Sequence, residues 1–210
     1  MCTSSKLTKG SKRQKVAEVS YSIDSVSPLQ PLLQCLESTL KADAHAGGNW
    51  VRSNDGQIYN MILEPLGKLF LASVPSDYPL LEEDTLSSES STQYEKLVQG
   101  VRTEDYGNVI GCITALAASA GNEQMWKPLN HLIVEACGND DRSEVRKAGV
   151  KCLLSVIKTL GEEYMVLLPE CLPVLSELLE DQDDEIVALA KECVQQGEDL
   201  LGESLEESLR

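Results

Sequence analysis

Aromatic residues are scarce in this chain: one Phe, two Trp and six Tyr in 210 residues. A β-sandwich leans on β-branched and aromatic side chains, so the scarcity argues against one. Histidine is rarer still, with only His45 and His131. Neither has a metal-type companion at H-x₃-H or C-x₂-C spacing, so no zinc site is expected. There is no Gly-x-Ser-x-Gly elbow, and no Gly-rich phosphate loop follows Gly47-Gly48. Asp181-Gln182-Asp183-Asp184-Glu185 lacks the alternation and the central Gly of a calcium loop and is read as a solvated turn between helices. No apolar run approaches the roughly 18 residues of a membrane span, so no membrane partner is expected. No Asn-x-Ser/Thr sequon and no secretory-type opening occur, and the seven cysteines include no C-x-x-C pair. The expected setting is reducing and intracellular. Five cysteines, Cys112, Cys137, Cys152, Cys171 and Cys193, fall in apolar helical stretches, where thiols behave as small hydrophobes. No catalytic, cofactor-binding or metal-ligating residue is assigned, and no cofactor is expected.

Positive charge is also short. The net charge is −16. Residues 1–20 carry Lys6, Lys9, Lys12, Arg13 and Lys15 against Glu18, which is +4, so the remainder is −20. An acidic body repels phosphate backbones, and nucleic-acid binding by the folded part is disfavoured. Residues 1–27, rich in Ser, Thr and Lys, read as a disordered basic tail.

What is abundant is aliphatic side chain at helical spacing. Leu29, Leu32, Leu33, Leu36 and Leu40 predict a helix from Pro28 to Leu40, interrupted by Ala46-Gly47-Gly48-Asn49. Ile58 to Val74 predicts a second helix, with Ile58, Met61, Ile62, Leu66, Leu69 and Phe70 on one face and a bend at Pro65. A flexible acidic loop is expected near 75–92, and a short helix from Tyr94 to Val101. Val109 to Ala120 reads as a further helix, stopped by Gly121.

Beyond it a two-helix unit occurs twice. The first copy has a helix from Trp126 to Cys137, with Pro128 in its first turn. Its second helix is N-capped by Ser143 and carries Val145, Ala148, Cys152, Leu153, Val156, Ile157 and Leu160 on one stripe, up to Gly161. Val150 and Leu154, off the stripe, imply cover from two sides. The second copy starts near Leu168, carries Pro169 and Pro173, and continues as Ile186 to Leu201, burying Ile186, Leu189, Ala190, Cys193, Val194 and Leu201. Val145 to Ile186 and Cys152 to Cys193 both span 41 residues. A period of about 40–47 with a Pro-bearing first helix belongs to HEAT and armadillo repeats, which stack into solenoids that present surface to partners. Trp126 is read as a plug between repeats and His131 as a groove or surface residue. The acidic run from Glu162 onward is read as the polar cap of a terminal repeat.

The fold class is therefore an all-α HEAT-repeat (armadillo-type) α-solenoid with a disordered N-terminal tail. The expected divisions are a tail over 1–27, divergent helical repeats over 28–124, and two HEAT repeats over 125–210 ending in an acidic cap. Leu29, Leu32, Leu33 and Leu36 are expected to form an exposed patch open to self-association.

Three runs carry a family resemblance. They are Met125-Trp126-Lys127-Pro128-Leu129-Asn130, then Glu163-Tyr164-Met165-Val166-Leu167-Leu168-Pro169-Glu170 continuing through Pro173 to Asp181, and Leu201-Gly202-Glu203-Ser204-Leu205. In this order and spacing the chain resembles the extreme C-terminus of the large nucleolar HEAT-repeat proteins of the small-subunit processome. These are called U3 small nucleolar RNA-associated protein ten in fungi and HEAT repeat-containing protein one in animals. The resemblance is close over Met125–Leu205, looser over Pro28–Gly121 and absent over 1–27, so the chain looks like the last few repeats of a much larger protein. Arg146 matches the HEAT consensus Arg, whereas Val187 holds the equivalent place in the last repeat. The resemblance implies a non-enzymatic scaffold of small ribosomal subunit biogenesis in the nucleus and nucleolus. Its implied partners are processome proteins of an early-joining, transcription-linked subcomplex within the U3 RNA-containing particle. A generic HEAT adaptor in nuclear transport or phosphatase assembly is the alternative.

Overall fold

Leu-rich amphipathic stripes separated by Gly, Asn and Asp give helices with short breaks, and the computed structural model contains no other regular element among its described residues, which are 29–72, 106–205 and 208–209. The elements are α1 (Leu29–His45), α2 (Ser53–Ala72), α3 (Tyr106–Ala120), α4 (Glu123–Cys137), α5 (Ser143–Leu160), a 3₁₀ turn (Gly161–Val166), α6 (Leu168–Leu178) and α7 (Asp184–Leu201). The expected disordered tail, the loop near 75–92, the Tyr94–Val101 helix and the end of the second helix at Val74 lie outside the described residues.

The helices form two layers. α1, α3, α5 and α7 are successive neighbours in one, and α2, α4 and α6 in the other, while α2–α3, α4–α5 and α6–α7 pack across the layers. This is the stacking of an α-solenoid, in which each hairpin covers the apolar flank of the next. Side-chain bonds run along each layer. In the first, the Cys112 thiol meets the Leu33 carbonyl at 3.2 Å, the Ser119 hydroxyl donates to the Leu40 carbonyl at 2.9 Å, and Thr114 donates to Ser155 at 3.0 Å. In the second, the Tyr59 hydroxyl donates to the Met125 carbonyl and Asn130 donates to Glu170 at 3.1 Å.

The aliphatic stripe of α5 is buried throughout, and so are the off-stripe Val150 and Leu154, because α4, α3 and α7 all pack on this helix. Gly149 lets α4 come close: a Cβ there would stand 2.7 Å from the Cys137 nitrogen. Gly161, at φ 56°, ends α5 as expected.

Several expectations need correction. α1 runs past Leu40 and closes at His45. α2 carries a break near its start, at Asn54, Asp55 and Gly56, all with positive φ (52°, 53° and 79°), and Pro65 lies inside the helix beyond it. Asn, Asp and Gly tolerate the left-handed region best. The face of α2 shifts accordingly: Tyr59, Leu66, Leu69 and Phe70 are buried, whereas Met61 is 75% exposed. α4 begins at Glu123 because the Asn122 side chain accepts the Met125 N–H at 3.0 Å, which leaves Pro128 in the second turn. Ser143 is the first residue of α5 and Arg142 stands at the N-cap without a side-chain bond. Leu201 is exposed and Leu189 and Val194 are half-buried. Finally, Leu29 and Leu33 are buried, Leu36 is half-buried and only Leu32 is well exposed, so the expected patch is reduced to one side chain.

Candidate interaction surface

The interior between the last two hairpins is partly polar. Asn130, on the buried side of α4, accepts the Tyr164 hydroxyl at 2.7 Å and sends its amide to Glu170. The Tyr164 oxygen lies 2.8 Å from the Cys171 sulfur, which is 3.4 Å from the same Asn130 oxygen. Mutual hydrogen bonding offsets the cost of burying these groups. Burial pushes the Tyr164 hydroxyl and the Cys137 and Cys152 thiols well up, the Cys171 thiol up, and the Cys112 and Cys193 thiols up to about 12. All five cysteines stay protonated at neutral pH and are poor nucleophiles. Trp126 is buried between α3 and α4, its indole N–H donating to the Ala117 carbonyl at 2.9 Å, which makes it a packing plug. His131 and His45 are both exposed.

Cations of α5 meet carboxylates around the start of α7 in a seam. Arg146 forks onto Asp181, with Nε 2.7 Å from Oδ2 and a terminal nitrogen 3.3 Å from Oδ1, and also holds the Asn139 carbonyl at 2.9 Å. Lys147 reaches Asp183 at 3.2 Å and Glu185 at 3.1 Å, Lys151 reaches Glu185 at 2.8 Å, and Lys158 reaches Glu192 at 2.6 Å. The Arg146 bond holds the Asp181 carboxyl below the usual range; the Glu185 N–H and then Lys147 do so for Asp183, and Lys151 and then Lys147 for Glu185. The run Asp181–Glu185 thus serves as turn, helix cap and ion-pair partner: Asp181 also accepts the Asp183 N–H and Asp183 the Glu185 N–H, both at 2.9 Å.

Beside this seam the two hairpin turns enclose an open groove of about 360 Å³, lined by Asp140, Arg146, Glu177, Glu180 and Asp181 among others. Arg146 is committed to Asp181, so Asp140, Glu177 and Glu180 set an acidic edge, which disfavours phosphate groups. Among the described residues no group of three or more His, Cys, Asp or Glu side chains is placed to hold a metal ion, and no helix is long and apolar enough to cross a membrane. The Asn130–Tyr164–Glu170 network was not foreseen; its signal is a lone amide on the apolar stripe of Trp126, Ile133 and Cys137.

Two layers of stacked hairpins, repeating every 41 residues and stitched by an Arg–Asp fork from one to the next, define a HEAT-repeat α-solenoid. No family model matches the chain. It is 36% identical over 99 residues to HEAT repeat-containing protein 1 of Homo sapiens, covering 47% of this chain and 5% of that protein. It is 34% identical over 146 residues to U3 small nucleolar RNA-associated protein 10 of Coccidioides immitis, covering 66% of this chain and 7% of that protein. An uncharacterised Arabidopsis thaliana protein is 27% identical across 99% of this chain, which spans 9% of that relative. The chain belongs to the family of HEAT repeat-containing protein 1 and U3 small nucleolar RNA-associated protein 10, and corresponds to a C-terminal region of it.

Proposed function

We propose that this chain is a non-enzymatic scaffold segment acting in small ribosomal subunit biogenesis, in the nucleus and nucleolus, through contacts with proteins of the U3 RNA-containing processome. The observation that carries the reading is its kinship with relatives named as U3 small nucleolar RNA-associated. The surface supports it. Buried thiols held protonated offer no nucleophile, and the lysines and arginine of α5 are engaged by carboxylates of α7 and of the turn before it, so the outer face offers carboxylates to a basic protein partner. Participation in pre-ribosomal RNA transcription as well as processing, through an early-joining subcomplex, is part of the proposal. So is the division into divergent repeats over 28–124 and two regular repeats over 125–210. Affinity purification of the chain from nuclear extract tests it. U3 RNA and processome proteins are the expected co-purifying species; importins or phosphatase subunits in their place would overturn the reading in favour of a generic adaptor.

A further inference from the structure

Among the described residues the exposed large apolar side chains are Leu32, Trp50, Met61, Val166 and Leu201. Trp50, Val166 and Leu201, which are 43%, 51% and 37% exposed, share one edge of the solenoid. In the first layer α1 and α3 run the same way, since the pairs Leu33–Cys112 and Leu40–Ser119 advance together along both helices. So do α5 and α7, through Lys151–Glu185 and Lys158–Glu192. α4 returns between α3 and α5 through short turns, so all four helices of the layer point alike. Trp50 follows the end of α1, Val166 closes the 3₁₀ turn after α5, and Leu201 ends α7. Leu29, Ala72 and Tyr106, where residues 1–28 and 73–105 join the helices, lie on the opposite edge, the one where Arg142 holds the Leu71 carbonyl.

The backbone beneath Trp50 is fixed. The buried Asp43 carboxylate accepts the Trp50 N–H at 2.9 Å and the Val51 N–H at 3.1 Å, Val51 is fully buried, and Arg52 donates to the Gly48 carbonyl at 3.0 Å. Left-handed residues stand on both sides, Gly47 and Gly48 at φ 90° and 71° before it and Asn54, Asp55 and Gly56 after it. Such backbone persists only where its surroundings impose it. The indole at the centre of this rigid loop is nonetheless half exposed, and its N–H has no partner among the described residues. The buried Trp126 differs on both counts. Carboxylates flank the apolar row. Glu162, Glu163 and Glu203 are exposed on the same edge, and among the described residues their side chains have no ion pair or hydrogen bond, whereas Lys158, near the end of α5, is paired with Glu192.

We infer that this edge docks an amphipathic helix of a protein partner, its apolar stripe on Trp50, Val166 and Leu201 and its cations against the three glutamates. This deepens the reading of a basic protein partner given above and rests on it. From α1 to α7 there are three interhelical steps of about 8–10 Å, so the row is roughly 24–30 Å long. A helix of about 16–20 residues spans that length. Trp50 is the anchor, because a large aromatic already held in place loses little freedom on binding. The glutamates repel an acidic helix or a phosphate backbone and attract a basic helix.

The test uses the full chain and a synthetic helix of about 18 residues, with Leu at steps of three and four and Lys elsewhere. At physiological salt the peptide should bind saturably, shift the tryptophan emission to the blue and shield one of the two tryptophans from acrylamide. Trp50→Ala with Val166→Ser should weaken binding at least tenfold, and Glu162→Gln with Glu163→Gln severalfold. A peptide with Ala in place of every Leu, which leaves the charge alone, should bind at least tenfold more weakly. Equal binding of that peptide overturns the inference, and so does an affinity unchanged in the Trp50 and Val166 variant. An equal emission shift with vesicles of neutral phosphatidylcholine overturns it in favour of a lipid surface. Acrylamide quenching of the unmodified chain covers the case in which the variants fail to fold: a bound peptide that leaves both tryptophans as accessible as before sits elsewhere, which also overturns the inference. Every component here is purified, so failure of this test is distinct from failure to recover U3 RNA from nuclear extract.

Discussion

Leu153 is fully buried at the centre of α5, a helix on which neighbours of both layers pack. Its truncation to Ala should cost about 2–5 kcal/mol, read from urea melts; a loss below about 0.5 kcal/mol would mean that this face is exposed. Arg146 acts differently. Its fork on Asp181 joins one hairpin to the next, and Arg146→Met leaves a nearly buried carboxylate without its cation, an expected loss of about 1–3 kcal/mol at pH 7. The sign of the pH dependence follows from the depressed Asp181 value. The contribution is complete above the ordinary aspartate range, about 4, and is lost as pH falls through the lower folded value. The gap between wild type and Arg146→Met should therefore narrow from pH 7 toward pH 3 in parallel melts. Arg146 was legible in the sequence because the repeat fixes its place. Asp181 as its partner was not, since that pairing depends on how far one hairpin slides along its neighbour. Asn130 and Tyr164 escaped for the same reason: each finds its bond only once α4 and the 3₁₀ turn meet.

The helices themselves were largely legible, since aliphatic stripes at steps of three and four fix the phase wherever a helix is covered. α5 shows this best, every stripe residue named from sequence being buried. Boundaries were less legible because capping is a local contest. Asn122 wins the α4 start, three residues ahead of Trp126, and Arg142 displaces Ser143 at α5. In α2 the left-handed residues 54–56 reset the phase, a geometry that three common turn residues do not announce. The contact between α4 and α5 rests on the absence of a side chain at position 149. Gly149→Val would drive a methyl group into the Ala136–Cys137 backbone, and an overpacking loss of about 1–3 kcal/mol is expected in thermal or urea melts. Gly149→Ala should lose less, and a Val variant as stable as wild type would show that the two helices part freely.

At the scale of the molecule, charge and stacking decide the behaviour. The −20 balance outside residues 1–20 leads to the expectation that deleting residues 1–27 abolishes any weak, salt-sensitive RNA binding, measured by filter retention across a salt series. Tight binding retained at physiological salt would require an RNA-contact surface on the repeats. Because Leu29 and Leu33 are covered, Leu32→Glu alone should leave the sedimentation coefficient of the chain unchanged. The layered order has one more consequence. α2 and α3 pack together although residues 73–105 separate them in sequence, and α2 also grips α4 through Tyr59 and Met125 while α1 lies along α3. The two sides of that separation are held together by packing in both layers, α1 on α3 and α2 on α3 and α4. A single protease cut within 73–105 should therefore yield two polypeptides that remain one particle on gel filtration and part only in denaturant.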